Sequence, residues 1–377
     1  MTSFKKPAFF AVLLLFTFAG IHAQERTTIE LNKGWKFAKG NSEKAFENNF
    51  NDSKWQSVIV PHDWAIYGPF DKEIDKQVTA IVQNGEKTAT EKTGRTGALP
   101  YIGEAWYRNQ FSVPNFDKNK KVILLFEGAM SEPKVFLNGK KVGEWNYGYN
   151  FFYFDITDYL AVNGKNNLAV HLSNLGESSR WYPGAGLYRK VKLIVKNKES
   201  IDQWGTFVTT PIVTDDVAKV NVKTKVTGEN LRIVTKIKDA SGKEVAENKS
   251  DAIFGNEFEQ NIAVKNPQLW SPETPYLYTA VSQIYVGDVL KDETTTRFGI
   301  RTIKFEPNKG FSLNGKVRKF KGVCLHHDLG PIGTAINKAA LRRQLTILKD
   351  MGCDAIRSSH NMPSLEQLEL CDEMGFM

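Results

Sequence analysis

The chain has 377 residues, of which 41% are hydrophobic and 24% are charged, as in an ordinary soluble protein able to bury substantial cores. This length predicts two or three domains. Lysine and arginine outnumber aspartate and glutamate by 50 to 42, but the basic residues are scattered along alternating segments, which argues against a nucleic-acid-binding surface.

Residues 1–23 are predicted to be a signal peptide. Lys5 and Lys6 precede an apolar run from Ala8 to Gly20, and the small residue Ala23 follows. These 13 residues are too few to cross a bilayer, which takes about 20. We therefore expect cleavage after Ala23, no membrane span afterwards, and export to the periplasm or the medium.

Residues 24–199 are predicted to form a β-sandwich of the jelly-roll type. Short apolar segments such as Val122 to Phe126 and Val135 to Leu137 alternate with turns, and no helical period is sustained. Asn138-Gly139 is typical of a type I′ hairpin. The polar stretch from Phe70 to Pro100 is too long for a plain turn, so we expect either a functional loop or a disordered segment there.

Residues 200–305 are predicted to form an immunoglobulin-like β-sandwich. Apolar residues alternate from Val220 to Val226 and again from Leu231 to Ile237, and a turn from Asp239 to Gly242 follows. About 100 residues of short alternating strands fit that fold.

The pattern changes to βαβα in residues 306–377. A strand from Phe320 to Leu325 precedes a helix capped by Asn337, and a strand from Cys353 to Ile356 precedes a helix opened by a Ser364 and Gln367 capping box. Alternation of this kind predicts a parallel sheet, either doubly wound or a (β/α)8 barrel. With Phe376 entering a third strand, we expect this domain to be incomplete.

The three cysteines are Cys324, Cys353 and Cys371, and they form no CxxC pair. No disulfide framework or zinc site is predicted. We expect three buried free thiols, because free cysteine packs like a small hydrophobic residue.

Motifs spread over the whole chain point to one family. In chain order they are VPHDW (60–64), AWYRNQF (105–111), VFLNGKKVGEWNYGYNFFYFDIT (135–157), SSRWYPGAGLYRKV (178–191), LWSPETPYLY (269–278), RFGIRTIKF (297–305), GFSLNGK (310–316), GVCLHHDLGPIG (322–333) and CDAIRSSHNMPS (353–364). Their order and spacing resemble glycoside hydrolase family 2. With the loop at 70–103, the chain is most similar to its β-galactosidase-like branch. The resemblance implies a jelly roll, an immunoglobulin-like sandwich and the first two βα units of an incomplete (β/α)8 TIM barrel.

The resemblance also implies the reaction. It predicts hydrolysis of terminal β-D-galactosides in oligo- or polysaccharides by a retaining double displacement that uses two carboxyl groups. In the family both glutamates come from later barrel strands, so we expect them beyond residue 377 and name no catalytic residue. The alternatives are a β-glucuronidase or β-mannosidase of the same family, or a non-catalytic carbohydrate-binding fragment. Some members use magnesium or sodium, but no metal or cofactor is assigned, and oligomerisation is left open.

Three residues are predicted to line the sugar site. His326 lies just beyond the first barrel strand, and Arg357 and His360 lie at the end of the second. This is the face on which barrel enzymes build their active sites. Imidazole nitrogens hydrogen-bond sugar hydroxyls, and a guanidinium fixes a neighbouring carboxylate. The structural alternatives are a histidine that bridges strand ends and an arginine in an ion pair.

Three further residues are candidates for sugar binding, and each has a structural alternative. Asp328 contacts sugar or closes an Asx turn, and Asn361 bonds a hydroxyl or caps a turn. Trp181 offers a flat aromatic face to a pyranose or packs between the sandwich and the barrel. Arg180 stands where some members have an acidic residue that touches the sugar, which puts that contact in doubt. One of His327 and Asp328 is expected to face outward, and Asp63 and Trp64 are expected to be turn and core residues.

Overall fold

The computed structural model describes residues 26–73, 76–93, 99, 103–114, 116–117, 119–161, 164–174, 181–251 and 256–377. The predicted signal peptide, its cleavage site and Arg180 lie outside these residues. Within this part of the chain, no helix is both long and apolar enough to cross a membrane.

The first unit is a sandwich of two antiparallel sheets. Its strands are β1 (Thr27–Glu30), β2 (Trp35–Lys39), β3 (Gln56–Val58), β4 (Lys76–Thr79), β5 (Thr90–Thr93), β6 (Gly103–Phe111), β7 (Lys120–Phe126), β8 (Lys134–Leu137), β9 (Lys140–Glu144), β10 (Phe152–Asp155), β11 (Asn166–Asn174) and β12 (Val191–Asn197). One sheet has the order β1-β12-β7-β10 and the other has the order β3-β2-β6-β11-β8-β9. The strands predicted around Val122 and Val135 are confirmed as β7 and β8.

The core of the sandwich lies between its two sheets. Trp35, Tyr107, Leu124, Phe126 and Leu168 are all buried there, because alternate residues of each strand point inward. Fully burying each large apolar side chain contributes about 1.5–3 kcal/mol.

The β8–β9 hairpin follows the prediction from Asn138-Gly139. Both residues have positive φ, 52° and 78°, which a type I′ turn requires. Asparagine is among the residues that tolerate this conformation, and the side-chain amide of Asn138 donates to the carbonyl of Tyr159 at 2.8 Å.

The polar stretch 70–100 is more regular than predicted in its described part. Residues of β4 and β5 pair antiparallel, from Lys76 opposite Thr93 to Thr79 opposite Thr90. Threonine and valine at these positions favour an extended strand, and Lys76 lies 3.5 Å from Glu91 across the pair. Within the described part of this stretch, β4 and β5 therefore form an antiparallel pair.

The second unit is an immunoglobulin-like sandwich. Its strands are β13 (Ser200–Val213), β14 (Val217–Thr227), β15 (Leu231–Lys238), β16 (Glu244–Asp251), β17 (Glu257–Lys265), β18 (Tyr278–Val286) and β19 (Val289–Phe298). A sheet of order β13-β14-β17 faces one of order β16-β15-β18-β19. The alternation predicted from Val220 and from Leu231 is confirmed, and the Asp239 carboxylate closes the predicted turn by accepting from Ser241 N.

The third unit changes to strands followed by helices. Its elements are β20 (Ile303–Glu306), β21 (Gly310–Leu313), β22 (Lys316–Val317), β23 (Gly322–Leu325), α1 (Lys338–Asp350), β24 (Ala355–Ser358) and α2 (Leu365–Met374). Strands β23 and β24 pair in parallel, with Cys324 opposite Arg357. Met377 N donates to Asp354 O at 2.8 Å, which places the end of the chain beside β24.

The helix caps follow the sequence closely. Asn337 accepts from Ala340 N at 3.0 Å and begins α1, and Ser364 accepts from Gln367 N at 3.2 Å and begins α2. The predicted capping box is only half formed. Gln367 does not return to the Ser364 backbone, because its side-chain amide donates to Ser358 Oγ at 3.1 Å instead.

The buried carboxylate of Asp63 joins the jelly roll to the barrel unit. It accepts from Ala65 N and Ala185 N in the sandwich, at 3.0 and 3.1 Å. It also accepts from the backbone N and the hydroxyl of Thr334, both at 2.9 Å, in the loop after β23. Tyr182 completes the set, donating its hydroxyl to Asp63 at 2.7 Å. Five donors converge on one side chain that is 1% exposed.

The joint leaves no room for side chains at two glycines. Gly184 has φ +71°, and an added Cβ would lie 1.9 Å from Thr334 Oγ1. Gly333 has φ +61°, and an added Cβ would lie 2.4 Å from an oxygen of Asp63. Only glycine suits both the backbone conformation and the close approach.

The Asp63→Ala variant is expected to lower the free energy of unfolding by about 3 kcal/mol or more. Three buried backbone donors would lose their acceptor, and each unsatisfied group costs about 1–3 kcal/mol. Denaturant titration followed by fluorescence measures the change. The matched control is Asp239→Ala, whose carboxylate serves an exposed local turn and whose loss should cost less than about 1 kcal/mol. Equal losses in the two variants would contradict the role given to Asp63.

Candidate active site

The predicted site residues meet at the carboxyl ends of β23 and β24. His326 follows directly after β23, Arg357 is the third residue of β24, and His360 lies two residues beyond that strand. Because the two strands are parallel, these residues share one edge of the sheet. Trp181 reaches the same edge from the jelly roll.

Three rings form the centre of this edge. The ring centroids of Trp181 and His326 are 5.3 Å apart, those of Trp181 and His360 are 5.3 Å apart, and those of the two histidines are 5.7 Å apart. Each pair is arranged edge to face, with interplanar angles of 60°, 67° and 80°. The structure therefore brings together three residues that lie up to 179 positions apart in the sequence, from 181 to 360.

The ring nitrogens of the histidines have different surroundings. His360 Nδ1 lies 2.8 Å from Arg357 Nη1, so it accepts a hydrogen bond from the guanidinium. An accepting Nδ1 leaves the proton of the neutral ring on Nε2, where it can be donated. His326 Nδ1 is buried and has no hydrogen-bond partner among the described residues.

Arg357 contacts no carboxylate in the described part of the chain. Besides His360, its Nη1 donates to Ser359 Oγ at 3.2 Å and approaches Cys324 Sγ at 3.7 Å. The structural alternative of an ion pair therefore finds no acidic partner here. The guanidinium instead fixes the orientation of the His360 ring.

Cys324 corrects the prediction of three buried thiols. Its side chain is exposed, while Cys353 and Cys371 are partly buried. Leu325 and Ile356 take the face of the strands that packs on the helices, so Cys324 and Arg357 point to the opposite face. Hydrogen bonds from Ser359 and Arg357 lower the pKa of the Cys324 thiol.

His327 contacts the jelly roll. Its Nε2 lies 3.0 Å from the carbonyl oxygen of Pro183, and its ring packs edge to face on Tyr149 at 5.1 Å. Burial lowers the pKa of His327 to about 4, so the ring is neutral at physiological pH and donates to Pro183. His326 thus points to the candidate site, while His327 packs against the jelly roll.

Asp328 and Asn361 take different roles. Asp328 accepts from Gly330 N at 3.3 Å, which is the Asx-turn alternative. Asn361 accepts a hydrogen bond from the Tyr147 hydroxyl, and its amide nitrogen is buried without a partner in the described part of the chain. Asn361 therefore links the loop after β24 to the jelly roll, and Tyr147 joins the edge of the site.

Arg189 is a residue that sequence reasoning missed. Its buried guanidinium donates to the carbonyl oxygens of Tyr149 at 3.1 Å and of Met362 at 2.8 Å. It therefore holds the loop that carries His360 against the jelly roll. Arg189 belongs to the motif SSRWYPGAGLYRKV, but only the fold shows which loop it holds.

Tyr182, next to Trp181, packs as a structural residue. Its hydroxyl donates to Asp63, and burial together with that carboxylate raises the pKa of Tyr182. Asp63 therefore fixes the segment that presents Trp181 on one side and the loop that follows His326 on the other.

A separate cavity of this unit does not contact the three rings. It has a volume of about 350 Å³ and is lined mostly by apolar residues, including Trp270, Phe311, Phe320 and Phe376. Phe305 and Phe311, which line this cavity, belong to the hairpin that precedes β23, and none of Trp181, His326 and His360 lines it. Among the described residues, no group of three or more histidine, cysteine, aspartate or glutamate side chains could hold a metal ion.

Family comparisons cover nearly all of the described chain. Three family models match in order along the chain. Residues 29–197 match "Glycosyl hydrolases family 2, sugar binding domain", and residues 200–301 match "Glycosyl hydrolases family 2". Residues 305–377 match "Glycosyl hydrolases family 2, TIM barrel domain". The third match decides between the two parallel-sheet alternatives in favour of the (β/α)8 barrel.

Individual relatives agree with these matches. A β-galactosidase of Bacteroides ovatus is 41% identical over 362 residues, which are 93% of this chain and 40% of that protein. The crystal structure of a β-glycosidase from Bacteroides vulgatus has a TM-score of 0.83 at 35% identity, covering 93% of this chain and 44% of the other. The Bacteroides uniformis β-glucuronidase structure has a TM-score of 0.80 at 29% identity, covering 94% and 42%.

The chain thus spans about 40% of the length of the relatives that it matches. Three consecutive domain matches and the fold agree on one family, and together they bear out the resemblance seen in the motifs. The chain belongs to glycosyl hydrolase family 2.

Proposed function

We propose that the complete protein is a retaining glycoside hydrolase that removes terminal β-D-galactosyl residues. The observation that carries the proposal is the cluster of Trp181, His326 and His360 at the carboxyl ends of the barrel strands. An indole beside two imidazoles provides an apolar surface and hydrogen-bonding nitrogens, which a pyranose ring with its hydroxyls requires.

The chemistry of this chain is binding and orientation. Trp181 packs against the C–H face of the sugar, His360 donates from Nε2 to a hydroxyl, and Arg357 keeps that tautomer by donating to Nδ1. Contacts of this kind accelerate hydrolysis when they tighten as the ring flattens toward an oxocarbenium-like transition state. The two carboxyl groups of the retaining mechanism are expected in later strands of the family's barrel.

The galactoside assignment rests on the 41% identity to the Bacteroides ovatus β-galactosidase. A β-glucuronidase is the second candidate. The Bacteroides uniformis β-glucuronidase shares the fold, and the exposed guanidinium of Arg357 could pair with the carboxylate of a glucuronide. A galactoside carries no such charge, so the two substrates differ in what they require from Arg357.

We also propose that the protein is exported, to the periplasm or beyond. The support is the sequence of residues 1–23, in which Lys5 and Lys6 precede an apolar run.

A panel of nitrophenyl glycosides tests the sugar assignment. We expect the complete protein to hydrolyse the β-galactoside with a kcat/KM at least about tenfold higher than for the β-glucuronide or the β-mannoside, a difference of about 1.4 kcal/mol in transition-state binding. A higher kcat/KM for the glucuronide would replace the galactoside assignment by the second candidate.

His360→Ala is expected to lower kcat/KM by about tenfold to a thousandfold, or about 1.4–4 kcal/mol, because the variant loses a hydrogen bond that tightens in the transition state. Steady-state kinetics on the preferred nitrophenyl glycoside measures it. Met362→Ala is the matched control, since Met362 lies in the same loop with its side chain exposed and should change kcat/KM less than about twofold. Equal kinetics for His360→Ala and the parent protein would remove His360 from the site.

A further inference from the structure

Trp204 lies at an irregular point of the second unit. The pairing of β13 with β14 shifts register between Ile201 and Thr206, and Trp204 within that bulge has φ +55°. A bulky residue rarely adopts this conformation, which costs on the order of 1–3 kcal/mol. The adjacent Gly205 is required, because an added Cβ would lie 2.6 Å from the carbonyl oxygen of Lys225. The bulge therefore holds an indole in a fixed position despite its cost.

That indole is presented to solvent rather than buried. Trp204 is 56% exposed. Two rings of the jelly roll brace it from the side. The centroid of Phe151 lies 5.9 Å away and that of Tyr153 lies 5.3 Å away, both at an interplanar angle of 75°. Edge-to-face bracing fixes the plane of the indole and leaves part of its surface uncovered. We call Phe151, Tyr153 and Trp204 the aromatic platform.

The platform is continuous with the candidate site along the chain. Every second residue from Trp145 to Tyr153 is aromatic. Tyr147 donates to Asn361, and Tyr149 packs on His327. This segment therefore begins at the edge of the site and ends at Tyr153, beside Trp204. Six residues span at most about 20 Å. The candidate site and the platform therefore lie within reach of one extended ligand.

The platform alone is too small to form a stable protein interface. An aromatic side chain buries about 150–250 Å² when it is wholly covered, so three partly exposed rings offer well under the roughly 800 Å² that each partner contributes to a standard interface. The nearby charges do not favour a polyanion. The carboxylate of Asp202 lies two residues before Trp204, and Lys225 is neutralised by Glu257 at 3.5 Å. The exposed indole of Trp204 is itself flat and apolar, and such a ring face fits the C–H face of a neutral sugar ring.

We propose that the aromatic platform is a second carbohydrate-binding site, which holds a neutral oligo- or polysaccharide chain while its end occupies the candidate active site. The inference rests on the proposed function, because the ligand is the remainder of the same substrate. The platform contributes affinity for long chains and does not touch the sugar that is hydrolysed.

Two assays on the complete protein separate this site from the active site. One is retention by soluble β-1,4-galactan in affinity gel electrophoresis, and the other is kcat/KM on galactan compared with nitrophenyl β-galactoside. Trp204→Ala and Tyr153→Ala are expected to lower galactan retention and kcat/KM on galactan by about tenfold, with less than a twofold change on the nitrophenyl substrate. Trp204→Phe, which keeps an aromatic face, should restore most of the retention. Phe305→Ala is the matched control, because Phe305 is an exposed aromatic residue on β20 of another unit.

Several results would overturn the proposal. Galactan retention by Trp204→Ala equal to that of the parent protein would do so, as would a parent protein that galactan does not retain. A change of oligomeric state in Trp204→Ala on size-exclusion chromatography, accompanying the lost retention, would assign the platform to a contact between copies of the chain. An absence of nitrophenyl β-galactoside hydrolysis together with Trp204-dependent galactan retention would refute the proposed function alone and leave the platform as a binding site.

Discussion

The carboxylate of Asp63 is the contact on which the candidate site depends. It takes hydrogen bonds from the segment that presents Trp181 and from the loop that follows His326, so it sets the position of one domain's aromatic face relative to the other domain's histidines. Both segments approach so closely that they require glycine, at Gly184 and Gly333. A buried acceptor with five donors is costly to disturb, because every donor would be left unpaired. Arg189 of the jelly roll makes a second connection by donating a hydrogen bond to Met362 O in the loop that carries His360.

The β-sandwiches and the barrel unit contribute different kinds of side chain. The barrel supplies histidines at strand ends, where small changes in loops alter the chemistry without altering the fold. The jelly roll supplies the indole of Trp181 beside the histidines, and the immunoglobulin-like unit supplies Trp204 farther along. Neither domain builds the candidate site alone. The precision of the site therefore rests on the rigidity of the joint between them.

Local features were readable from the sequence, and long-range ones were not. The caps at Asn337 and Ser364 and the Asn138-Gly139 hairpin follow from residues within a few positions, and all three formed. The position of the histidines at the carboxyl ends of parallel strands follows from the order of strands and helices alone. The bond from Thr334 to Asp63 joins residues 271 positions apart, and no local pattern encodes it. The orientation of the His327 ring likewise depends on a distant residue, Pro183. The side chain of Gln367 donates to Ser358 in β24 rather than to the backbone of its own helix cap.

A crystal structure of the complete protein with galactose bound would show whether the three rings hold the sugar. We expect the pyranose ring against the indole of Trp181, with at least one hydroxyl within about 3.2 Å of an imidazole nitrogen of His326 or His360. Galactose bound at another face of the barrel, with these three rings uncovered, would contradict this expectation.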